Sequence, residues 1–157
     1  MQTITVKKIV NAPAESVWVS WDDFGNVYKF NPAISASRLL SDDDIPTGVG
    51  ARRECELKDG KNWVREEIVD YIPSKKMTIS IYEASLPIKT MSATIRLRSI
   101  TDTKTEVAMT AEFEPKYGLI GKLMAPLMKR QFRTMLRAVL DSNAAYVEDG
   151  VLVPQAA

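Results

Sequence analysis

Histidine is absent from this 157-residue chain, and the absence excludes more chemistry than any motif adds. Without an imidazole there is no Ser-His-Asp or Cys-His nucleophilic site, none of the usual transition-metal ligand sets, and no side chain whose ordinary pKa lies near neutrality. Cysteine is scarce too: Cys55 stands alone and cannot close an internal disulfide, in keeping with a reducing compartment. An excess of either charge is missing. Lys and Arg number 21 against 20 Asp and Glu, so nothing attracts the chain as a whole to nucleic acid. No apolar run reaches the length of a membrane span. The opening MQTITVKKIV alternates like a strand and lacks the apolar core and small-residue cleavage site of a secretory signal. The expected location is therefore cytoplasmic, with neither a nucleic-acid partner nor stable membrane insertion. Phosphate-binding and redox signatures are also missing: there is no GxxxxGK[ST], no GxGxxG between strand and helix, and no CxxC. Neither a metal nor a cofactor is expected.

What remains is an order of elements. Ile4, Val6 and Val10 alternate with polar residues, which predicts an antiparallel strand with one wet face. After Pro13, the apolar residues Val17, Trp18 and Trp21 give a short helix one packing side; Phe24, Val27 and Tyr28 give a second short turn one, closed at Asn31-Pro32. Residues 33–41 read as a weak strand. The acidic run in SDDDIPTGVG reads as a solvated turn, since the spaced ligands and distal glutamate of a calcium loop are missing. A hairpin follows, RRECEL and WVREEIVDYI about Asp59-Gly60, then MTISIY, MSATIRLRSI and TEVAMTAEFE, each with an alternating apolar face.

The last element is predicted to be a long amphipathic helix from Pro126 to about Val147, ended by Gly150. Projected at about 100° per residue, Gln131 falls within the apolar arc between Leu127 and Met135, with Ser142 in line. Lys129, Arg130, Arg133 and Arg137 take the opposite arc. An amide buried without a partner costs roughly 1–3 kcal/mol, so Gln131 is expected to meet a ligand, a water or another side chain. A one-faced sheet and a one-faced helix satisfy each other only by packing together. The expected fold is α+β, a helix-grip: a curved antiparallel sheet of six to seven strands wrapped around the long C-terminal helix, with two short helices after the first strand. Residues 1–150 form one domain and 151–157 a flexible tail.

The runs APAESVWVSWDDFGNVYKFNP, GVGARRECELKDG, REEIVDYIPSKK and TEVAMTAEFEP, with the long helix, resemble the polyketide cyclase/dehydrase and lipid-transport branch of the START-like (SRPBCC) superfamily over residues 3–148. The resemblance implies an internal cavity between sheet and helix that takes a small hydrophobic or amphipathic molecule. By position it implies that Glu66 points into that cavity, that Met91, Ala93, Met109 and Ala111 form its wall, and that Leu127, Gln131 and Met135 face it from the helix. Ile79 and Ile81 lie on a predicted inward face. The sequence departs from hormone-binding relatives, which place a lysine where Ala33-Ile34-Ser35-Ala36-Ser37 stands. Phe30-Asn31-Pro32 occupies the place where a tryptophan before proline is common.

Glu66 is the strongest candidate for chemistry, because an apolar pocket raises a carboxyl pKa towards the range of a general acid or base. The competing reading pairs it with Arg53 on the neighbouring strand, and a one-residue slip would put Glu67 inside instead. The methionines at 77, 91, 109, 124, 128 and 135 suit an adaptable apolar wall. The leading function is carriage or sensing of a small hydrophobic molecule oriented by Glu66 and Gln131. The alternative is a cyclase, dehydratase or isomerase with Glu66 as acid/base and Tyr82 or Ser92 as hydroxyl partners, and a third is a ligand-dependent interaction module. Catalysis requires a pocket carboxylate without a basic partner; carriage expects a paired one. Glu66→Gln is expected to change stability by no more than about 1 kcal/mol, and Gln131→Leu to weaken a ligand while leaving the fold intact.

Overall fold

The computed structural model describes residues 1–40 and 44–154. The core of the acidic run, residues 41–43, lies outside the described residues, as do residues 155–157. The strands are β1 (Gln2–Val10), β2 (Ile34–Leu39), β3 (Arg52–Leu57), β4 (Trp63–Ile72), β5 (Lys76–Ala84), β6 (Ile88–Thr101) and β7 (Lys104–Pro115). They form one antiparallel sheet in the order β1-β7-β6-β5-β4-β3-β2. Helix α1 (Ala14–Asp22) and a 3-10 helix (Phe24–Lys29) connect β1 to β2, and the long helix α2 (Gly118–Asp149) follows β7.

Local chemistry accounts for the connections. Asp59 closes the β3–β4 turn by accepting the backbone N–H groups of Lys61 and Asn62, both at 2.8 Å, and Gly60 supplies the positive φ of 72°. On the inner sheet face Ile4, Val6, Met77, Ile95, Val107 and Phe113 are buried, as their alternation requires. Helix α2 packs against β1 and β7. Phe132 meets Phe113 edge to face at 4.7 Å, while Leu136, Val139 and Leu140 are enclosed. Each such side chain contributes about 1.5–3 kcal/mol through removal from water.

The long helix starts earlier than its sequence suggests, at Gly118, and Pro126 lies inside it. Inside a helix proline takes one N–H from the ladder and its ring crowds the carbonyl one turn back. What brings the first turns into register is Gly121: a Cβ there would stand 2.4 Å from the Lys116 carbonyl oxygen and 3.3 Å from the Pro115 ring. That close approach lets the helix double back directly from the end of β7.

The inward arc of α2 keeps Leu136 and Val139 from the expected apolar face but differs in the first turns and at Gln131. It runs through Gly121, Ala125, Leu136, Val139 and Asn143, all buried, whereas Leu127 and Gln131 are exposed. The amide set into the apolar face is Asn143, fully enclosed, whose Nδ2 donates to Ser20 Oγ on α1 at 2.9 Å. Beyond the helix, the Val153 N–H donates to the Lys29 carbonyl at 2.9 Å, and Lys58 Nζ to that of Pro154 at 3.0 Å.

Candidate functional site

Between sheet and helix the inner side chains leave a cavity of about 130 Å³. That is close to the ~150 Å³ that accommodates a benzene-sized guest in an apolar protein interior. Strands β5, β6 and β7 contribute Ile79, Ile81, Met91, Ala93 and Met109 to its wall. Helix α2 contributes Phe132, Met135, Leu136 and Val139, and the connecting helices contribute Trp21 and Val27. The lining is overwhelmingly apolar. Leu86 and Ile88 keep partial exposure, so the cavity approaches solvent beside the β5–β6 turn.

The charged end is built by the β3–β4 hairpin, whose register sets Arg53 opposite Glu66. Arg53 Nε donates to Glu66 Oε2 at 2.5 Å, with the two side chains only 7% and 14% exposed. A second guanidinium nitrogen donates to the Phe24 carbonyl at 2.9 Å, and the group lies over the Phe24 ring at 3.9 Å. Hydrogen bond, ion pair and ring contact thus lock the arginine from three sides. Cys55 Sγ lies 3.7 Å from the same Glu66 oxygen. Burial, with the Glu66 charge second, pushes the Cys55 thiol far above its ordinary pKa, which keeps it protonated and unreactive. The other Glu66 oxygen receives no hydrogen bond from a described residue.

The strand phase is decided by this register. Glu66 faces the cavity, while Glu67 pairs with Arg52 at 3.6 Å on the opposite, more exposed face. Of the residues picked out in the sequence, Arg53, Glu66, Ile79, Ile81, Met91, Ala93, Met109 and Met135 converge on the cavity. Ser92 joins them. Ala111 is buried in the core but does not line the cavity, and Leu127 and Gln131 are turned to solvent. Tyr82 is on the outer face, 44% exposed, with the Arg52 guanidinium 5.3 Å from its ring.

The corrections at Leu127 and Gln131 share one cause. The first turns of α2 carry apolar side chains on both sides, so periodicity offers two seams and only contact with the sheet chooses between them. Phe132, Leu136 and Leu140 belong to the buried seam, one residue on from the Leu127–Gln131–Met135 line. Trp21 is another cavity residue, one that its sequence spacing marked first as a helix-packing side chain. Its signal was the i, i+3 and i+4 spacing with Val17 and Trp18, which predicts burial but not the edge of a void. No group of three or more His, Cys, Asp or Glu side chains able to hold a metal occurs among the described residues.

The sequence matches the polyketide cyclase / dehydrase and lipid transport family over residues 1–148. The chain belongs to that family. No curated protein matches it in sequence. Solved structures share its fold at low identity. A START superfamily protein from Mycobacterium smegmatis superposes with a TM-score of 0.79 at 13% identity, covering 95% of this chain and 99% of that one. The protein XoxI from Bacillus cereus gives 0.77 at 18% identity, covering 95% and 97%. The Zhui aromatase/cyclase from a Streptomyces species gives 0.70 at 18% identity, covering 94% and 93%. At these identities the likeness establishes the START-like helix-grip fold. Within it, the charged pair is a polar floor beneath an apolar chamber.

Proposed function

We propose that this protein binds a small hydrophobic molecule carrying a hydrogen-bond donor, such as a hydroxylated ring, and carries or senses it without transforming it. One observation carries the reading: the carboxylate on the cavity wall is paired at 2.5 Å with an enclosed arginine. A general acid or base needs a pKa near the working pH and freedom to exchange its proton. One oxygen of this carboxyl is already engaged by the Arg53 guanidinium, an arrangement that suits holding a ligand's donor rather than passing protons. Its second oxygen, unclaimed by a described residue, suits a ligand hydroxyl, and the apolar wall suits the ligand's body. The cyclase or dehydratase reading draws on the family name and on the Streptomyces neighbour. It would require Arg53 to release Glu66.

Native mass spectrometry of the purified protein, looking for a co-purified small molecule, is the first test. Ring-sized probes form the second. Phenol should raise the melting temperature more than toluene, because the hydroxyl adds a hydrogen bond to a charged acceptor, about 1.5–3 kcal/mol. Equal shifts for the two would remove Glu66 from the site. No shift with any apolar probe would count against the cavity as a binding site. Conversion of a bound polyketide-like compound, abolished by Glu66→Gln in a folded protein, would favour the enzyme.

A further inference from the structure

Helix α2 has a second apolar face that the sheet does not cover. Leu119 and Leu123 are 78% and 82% exposed, and Ile120, Met124 and Leu127 are exposed beside them. Their spacing of i, i+1, i+4, i+5 and i+8 gathers them on one side of the helix. That side lies opposite the buried seam through Gly121, Ala125 and Leu136. The stripe is about 12 Å long at 1.5 Å per residue. Single exposed apolar side chains need no explanation, but five neighbouring ones on one side of a helix do.

Charge around this face is one-sided. Between Pro115 and Leu140 there is no acidic residue, whereas Lys116, Lys122, Lys129, Arg130, Arg133 and Arg137 all fall there, in a chain whose net charge is only +1. None of the six forms an ion pair with a described residue. Projected at about 100° per residue, Lys122 borders the exposed stripe on one side, and Lys129, Arg130, Arg133 and Arg137 continue that side of the helix beyond Leu127. The helix therefore offers an apolar ridge edged by unneutralised cations, the pattern of a helix that lies in a membrane interface. No helix among the described residues is long and apolar enough to cross a membrane, so the contact is one of lying on a surface.

We propose that the first half of α2 docks on an anionic phospholipid bilayer. Leu119, Ile120, Leu123 and Leu127 enter the boundary between headgroups and acyl chains, and the flanking lysines and arginines meet the phosphates. A bilayer supplies both complements at once. A second copy of the chain docked by a two-fold axis would set these cations against their own images. The placement also has a consequence for the cavity. The Lys116 N–H donates to the Pro87 carbonyl at 3.2 Å and Ile88 pairs with Pro115, so the Leu86 and Ile88 part of the cavity lining adjoins the docking helix. Docked in this way, the cavity approaches solvent next to the lipid. The surface is read from the outer side of α2, independently of what the cavity holds.

The test uses the purified full chain and sedimentation with vesicles of phosphatidylcholine alone or mixed with phosphatidylglycerol. The expected result is binding to the anionic vesicles, at least about tenfold weaker to phosphatidylcholine or in raised salt. Leu119→Ser with Leu123→Ser should weaken it about tenfold with the melting temperature unchanged, since both side chains are already in water. The charge variant Lys122→Gln with Lys129→Gln and Arg130→Gln should abolish the preference for anionic lipid. A folded protein that sediments with neither vesicle, or equally with both, overturns the proposal. So does a concentration-dependent dimer, seen by light scattering, that Leu123→Ser dissociates, because the ridge is then a contact between copies. Failure to bind apolar ring probes leaves vesicle binding unaffected, so the two readings fail separately.

Discussion

Removing the charge of Glu66 strands the Arg53 guanidinium in a site where it is 7% exposed. Glu66→Gln is therefore expected to cost about 3–5 kcal/mol in urea unfolding, the range for breaking an enclosed pair from one side. That replaces the figure of about 1 kcal/mol expected from sequence. Arg53→Met combined with Glu66→Leu should recover much of the loss, because no unpaired charge remains. A cost below about 1 kcal/mol for Glu66→Gln would show that the arginine finds other acceptors. Cys55, enclosed and with its thiol pKa pushed up first by burial and then by the Glu66 charge, should resist iodoacetamide until the protein unfolds. Labelling of the native protein at neutral pH would mean the hairpin opens. Gln131, exposed on the outer side of α2, should tolerate Gln131→Leu within about 0.5 kcal/mol, with ring-probe binding unaltered.

Among elements, the joint between α1 and α2 depends on a polar contact within an apolar seam. Asn143 is fully buried, its Nδ2 donating to Ser20 Oγ, which in turn donates to the Val17 carbonyl at 2.6 Å. Its Oδ1 has no described partner. Asn143→Ala removes the link and leaves space, and should lower stability by about 1–3 kcal/mol in chemical denaturation. Asn143→Leu with Ser20→Ala removes donor and acceptor together and should come closer to neutral. If the double variant is the worse of the two, the amide also fixes the angle between the helices. At the other end of α2, Gly121→Ala drives a Cβ into the Lys116 carbonyl oxygen and should cost about 1–3 kcal/mol, with the loss of helical signal confined to the first turns.

Across the molecule, stability against pH is set by carboxylates and a phenol, because there is no histidine to titrate between them. A hydrogen bond from Arg65, aided by Arg38, holds the Glu54 carboxyl below its ordinary 4.5. The backbone N–H of Asn62, then that of Lys61, lowers Asp59, and the Lys76 ammonium lowers Asp70, both from an ordinary 3.8. A depressed folded pKa contributes stability that is present above the unfolded value and is lost as pH falls through the folded one. The melting temperature should therefore begin to fall below about pH 4.5, and further under pH 3.8. Tyr71 acts at the alkaline end, its pKa raised from 10.0 by burial and then by donation to Asp22 at 2.6 Å. Its share is present below pH 10.0 and is lost as pH climbs through the raised value. Between these limits a flat profile is expected in thermal unfolding. A step near pH 6.5 would have to come from a group other than imidazole.

The strands, the short connecting helices and the one-faced sheet were legible in the sequence because alternation and turn chemistry are local. Asp59-Gly60 closes its hairpin with its own atoms, and Ile4, Val6, Met77 and Val107 face inward whatever packs on them. The Arg53–Glu66 pairing was legible as one of two alternatives; the choice needed the β3–β4 register, which a turn of known length sets and a sequence pattern alone does not. The phase of α2 was legible from Phe132 onward, where Phe132, Met135, Leu136 and Val139 face the cavity as their spacing suggests, but not in the first turns. Its early turns are apolar through Leu119, Leu123 and Leu127 on one side and through Ala125, Phe132 and Leu136 on the other, and periodicity weighs both seams alike. Burial against β1 and β7 selects the second. Tertiary packing thus determines which amide is enclosed, Asn143 rather than Gln131, and which leucines are left facing solvent.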